Sequence, residues 1–86
     1  MCMDELYQRL DRAERQIGLI SNKVARKDLM TMLRTIDKVM VAADQASVEC
    51  RRLRRETLRY QDLVQQALQL MNNLEQHLTF AALLRG

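Results

Sequence analysis

From Met3 onward the apolar residues fall at Met3, Leu6, Leu10, Ala13, Ile17, Ile20 and Val24, in steps of three and four. That alternation keeps them on one stripe of an α-helix. A second series starts at Leu29 and continues through Met32, Ile36, Val39, Ala43, Ala46, Cys50, Leu53, Thr57, Tyr60, Val64, Ala67, Met71, Leu74, Leu78 and Ala81 with no slip. Only Thr57 is polar among these 23 stripe positions, in a chain that is 48% hydrophobic, so chance does not account for the pattern. The expected class is all-α, with helices that pack along a heptad seam.

The two series do not share a phase. Val24 to Leu29 is a step of five, neither a stutter nor a stammer of a coiled coil, and the chain is expected to turn there. Ser21 and Asn22 can end or cap a helix. Asp28 is a further candidate cap, since its carboxylate could accept from backbone N–H groups at the positive end of the following helix. The expectation is one domain over residues 1–86: a helix over about 3–22, a turn within 21–28 and a helix over about 29–84.

Residues 51–57 leave two arrangements open. The register runs straight through Arg51-Arg52-Leu53-Arg54-Arg55-Glu56-Thr57, which contains no turn former, and this favours one long helix of about 80 Å. Such a chain would be a helical hairpin with one short and one long helix, forming a multi-helix bundle with other copies. A break near 51–57 would make a three-helix bundle instead. The continuous helix is the favoured expectation, because a turn normally scrambles the apolar phase.

A long apolar stripe needs a counterpart, and a short helix folded back on it covers only half. Self-association, most simply as a two-fold dimer, is therefore expected, with Leu29, Met32, Ile36, Val39, Leu53, Tyr60, Val64, Met71, Leu74 and Leu78 at the interface. The apolar end of the chain, with Phe80, Leu83 and Leu84, is the candidate docking site for another helical protein. Gln65, Gln66, Gln69, Asn72, Asn73 and Gln76 form a neutral polar face that suits either solvent or a partner.

Charge changes this picture at one place. The net charge is only +3, but Arg51, Arg52, Arg54, Arg55 and Arg59 crowd into nine residues with Glu56 as the one acid among them. They could grip phosphates, making a basic nucleic-acid-binding dimer the alternative function. The competing reading is a solvated face stitched by Glu49–Arg52, Arg52–Glu56, Glu56–Arg59 and Arg59–Asp62 pairs at helical spacing, each worth about 0.2–0.5 kcal/mol. With three aromatic residues in the chain and no recognition motif, base stacking has little to work with.

Catalysis and cofactors find no support in the residue types. His77 is the single histidine and has no Ser or Cys near it in sequence, while Cys2 and Cys50 are too isolated to form a zinc set with it. Glycine occurs twice and in no cluster, so a phosphate loop is not expected. The sequence shows no run of 18 or more apolar residues and no secretory signal, and two distant cysteines suit a reduced, cytoplasmic protein. The functional expectation is a non-enzymatic assembly protein without cofactor or metal: an adaptor, a scaffold or a small chaperone.

Overall fold

The computed structural model describes the backbone of residues 3–53 and 58–85, and side-chain surroundings for 3–52 and 58–81. Among the described residues there are three helices and no strand: α1 (Met3–Gly18), α2 (Lys23–Leu53) and α3 (Leu58–Arg85). They form an all-α three-helix bundle 51 Å long and 18 × 16 Å across, in which α2 and α3 share the largest contact.

The first turn follows from local chemistry. Helix α1 stops at Gly18, a residue with poor helix propensity. Its last turn tightens, as the amides of Leu19 and Ile20 donate to the carbonyls of Gln16 and Ile17, each three residues back. Asn22 then caps α2: its Oδ1 accepts from the amides of Val24 and Ala25, both at 3.0 Å, and its carbonyl accepts the first helical bond from the Arg26 amide. These are the donors that an N-cap side chain ordinarily satisfies. The Arg26 guanidinium closes the loop onto the Ile20 carbonyl at 3.0 Å.

The turn therefore occupies residues 19–22, earlier than the expected 21–28. Asp28 is not the cap; it is exposed within α2. Val24, counted as the last member of the first stripe, is 71% exposed, and the stripe of α1 ends on buried Ile20.

Helix α2 ends at Leu53, α3 begins at Leu58 and the two pack on each other, so the favoured continuous helix of 29–84 gives way to its alternative, a three-helix bundle. Part of the stripe that was expected to need a second chain is covered within one. Leu29, Ile36, Met71, Leu74 and Leu78 join Leu6, Leu10, Ala13, Ile17 and Ile20 in a single buried cluster. Met32, Val39 and Val64 pack against its margin, and Tyr60 is half-buried. The side chain of Leu53 lies outside the described residues.

On α2 the buried positions are Leu29, Leu33, Ile36, Met40, Ala43 and Ala46, with Met32 and Val39 only half-buried. A helix wedged between two neighbours needs a broader apolar face than a two-stranded seam, and Leu33 and Met40 supply it. No polar side chain of the described residues is buried, and no buried side-chain nitrogen or oxygen lacks a partner. The core is held by apolar burial alone. Orientation is left to polar contacts at its edge.

Candidate interaction surfaces

Two such contacts hold α1 on the other helices. Tyr7, on α1, donates its hydroxyl proton to Asp44 Oδ2 of α2 at 2.5 Å. That bond, partial burial and the negative charges of Asp44 and Asp37 push the tyrosine pKa up to about 12. On the other flank Arg9 forks onto Glu75 of α3, Nε to Oε2 at 3.0 Å and Nη2 to Oε1 at 2.6 Å, and Nη2 also donates to Asn72 Oδ1 at 2.8 Å. The bond to Glu75 raises the pKa of Arg9 further, against a smaller desolvation effect. Bidentate geometry of this kind fixes orientation as well as adding energy.

Both contacts yield measurable expectations. With a pKa raised from 10 to about 12, Tyr7 contributes stability that is present in full below pH 10 and is lost as pH rises through 12. Tyr7→Phe should flatten this alkaline decline in thermal melts and remove the late component of the tyrosinate absorbance titration. Arg9→Ala should cost about 1–2 kcal/mol, read as a lower denaturant midpoint. The Arg9 side chain is 16% exposed and Glu75 41%, so the pair exceeds a solvated surface bridge but falls short of a buried one. Lysine at position 9 should restore only part of the loss, lacking the fork.

Helix α1 has 16 residues against 31 in α2 and 28 in α3. Since Tyr7 near the start of α1 already bonds Asp44, residues 45–53 of α2 run on past the third helix together with the beginning of α3. Near this end Val48 is 54% and Leu58 78% exposed. Cys50, Leu63 and Val64 are half-buried. A shallow open groove on this projecting part is lined by Ala42, Gln45, Ala46, Glu49 and Arg59.

Of the five candidate anion-binding arginines, Arg51, Arg52 and Arg59 are exposed and flank the same turn. Arg54 and Arg55 lie outside the described residues. Arg52 donates to Glu49 Oε1 at 3.2 Å, one of the helical pairs expected of a solvated face. Pairs through Glu56 also fall outside the described residues.

At the opposite end Phe80 is 63% exposed and borders an open groove with Asn72, Glu75, Gln76 and Thr79. The neutral polar face of α3 is exposed at all six of its positions, from Gln65 to Gln76. Leu83 and Leu84 belong to α3, but their side chains lie outside the described residues. His77 is exposed, and its Nδ1 donates to the Asn73 carbonyl one turn back at 2.8 Å, as a carbonyl can only accept. Among the described residues no group of three or more His, Cys, Asp or Glu could hold a metal ion. No helix among them is long and apolar enough to cross a membrane.

No protein-family model matches this sequence, and neither the curated proteins nor the solved structures provide a match.

Proposed function

We propose that this chain is a non-enzymatic assembly module, an adaptor, scaffold or small chaperone of the cytoplasm, that binds helices and associates with a second copy of itself. The observation that carries this reading is the unequal length of the helices: an α2–α3 hairpin continues beyond the reach of α1 and carries exposed Val48 and Leu58 there. Two helices without a third leave apolar surface that a further helix would cover. The residue types support the non-catalytic part of the reading. His77 spends its Nδ1 proton on its own helix, and the described grooves are open surface features. Co-expression of two differently tagged copies tests self-association: one tag should retain the other in reducing buffer, and failure to do so at high expression contradicts it.

A second reading rests on Arg51, Arg52 and Arg59, which the hairpin gathers at one end. If they grip nucleic acid, binding should weaken steeply with salt and disappear on replacing all three by Ala, with the oligomeric state unchanged. Retardation that survives the triple replacement would remove this reading.

A further inference from the structure

Helices α2 and α3 each carry a second stripe beside the one that fills the core. On α2 it runs Met32, Thr35, Val39, Ala42, Ala46 and Glu49, and on α3 Arg59, Leu63, Gln66, Leu70 and Asn73, both in steps of three and four. The two stripes border each other across the hairpin. One shallow groove joins Met32 and Thr35 to Leu70 and Asn73, and another joins Ala42, Ala46 and Glu49 to Arg59. Helix α1 lies on the other side. Its clamps hold Asp44, two residues from both Ala42 and Ala46, and Glu75, two residues from Asn73, and two residues turn an α-helix by about 200°.

This face differs in composition from the solvated outside of α1, which exposes Asp4, Glu5, Asp11, Arg12, Glu14 and Arg15. Over about 21 Å of the hairpin, from Met32 to Ala46, the paired stripes hold no charge. Met32, Val39, Leu63 and Leu70 are half-buried and keep part of their apolar surface uncovered, and the rims are exposed Thr35, Gln66 and Asn73. Uncharged polar groups cost less to desolvate than ions. Charge returns only at the projecting end, where exposed Glu49 on α2 and exposed Arg59 on α3 line the same groove.

We propose that a second copy of this chain covers this face, with the two-fold axis along the bundle, so that α2 of each copy lies antiparallel on α3 of the other. This rests on the self-association reading above and names its surface. Charge decides both the occupant and the orientation. A two-fold contact sets a face against itself, which a face of one sign resists and a face of amides and apolar groups permits. Rotation about that axis keeps every residue at its height along the bundle and exchanges the two sides. Glu49, which shares a groove with Arg59 of its own copy, therefore also comes opposite Arg59 of the other, and the pair occurs twice. Lys38 and Asp62, the charges flanking the stripes on α2 and α3, likewise meet with opposite sign. Ala42, Ala46 and Thr35 are small enough for close approach, and Met32, Val39, Leu63 and Leu70 supply the apolar layers of a four-helix core between the copies.

The test measures the dimer dissociation constant of the full chain by sedimentation in reducing buffer. Thr35→Glu with Asn73→Glu, two exposed positions that come opposite each other between copies, should weaken dimerisation at least about a hundredfold and leave a folded monomer with a cooperative melt. Gln8→Glu with Gln16→Glu, the same change of charge on the exposed side of α1, should leave it unaltered. Glu49→Lys and Arg59→Glu, each alone, should weaken it about tenfold. Mixing these two single variants should restore the affinity, since only the mixed pair sets opposite charges together at both contacts. Dimerisation unaltered by Thr35→Glu with Asn73→Glu overturns this face and leaves self-association standing. A mixture no tighter than the single variants overturns the packing of α2 on the other copy's α3. An unsubstituted chain that stays monomeric at every concentration overturns both readings and leaves the face to a helix of another protein.

Discussion

Replacing Leu74 by Asp should leave the chain without a cooperative fold at neutral pH. Leu74 is wholly buried, on α3, in the cluster that all three helices share. Removing its apolar volume alone costs about 2–5 kcal/mol, as for other large-to-small core changes. The new carboxylate adds several kcal/mol, because the core holds no polar partner for it among the described residues. A domain of this size has a total stability near the low end of about 5–15 kcal/mol, so the two terms together exceed it. Ile36→Asp, at 1% exposure on α2, should behave alike. Far-UV circular dichroism with a thermal melt reads the outcome, and a cooperative transition retained in either variant would contradict the burial described for these positions.

Ile17→Ala carries the second large effect, about 2–5 kcal/mol. Ile17 is fully buried one residue before the end of α1 and sets that end of the helix into the cluster. A helix of 16 residues is marginal on its own in water and owes its existence to this packing. The loss should appear as a single shifted denaturation curve with the slope preserved, since α1 covers apolar surface of both other helices. A curve that splits in two, with α1 melting first, would mean that the α2–α3 hairpin is stable without it.

The spacing of apolar residues makes some of this architecture legible and leaves other parts hidden. The stripe of α1 is read directly, from Leu6 to Ile20, because a single amphipathic face meets a single core. The first turn announces itself through a lost phase but is placed late, since Val24 sits in phase with the stripe and yet projects into solvent. Asn22 and Asp28 both have capping chemistry; only the actual helix start decides between them.

The second turn is hidden for a physical reason. Residues 51–58 have the propensities and the phase of continuing helix in sequence, yet α2 ends at Leu53 and α3, which packs on it, begins at Leu58. The pairing of α2 with α3 is a long-range preference that the spacing along one stripe does not record. The clamps Tyr7–Asp44 and Arg9–Glu75 join residues 37 and 66 positions apart, so no local spacing foretells them. The cluster of arginines is visible in sequence, whereas the gathering of Arg51, Arg52 and Arg59 around one turn depends on the hairpin.

The claim that this protein works by association is tested most directly by light scattering on a size-exclusion column, run in reducing buffer over a wide range of loading concentrations. The account predicts a mass that rises with concentration from that of one chain to that of two; a mass of one chain throughout, with a cooperative melt, would contradict it.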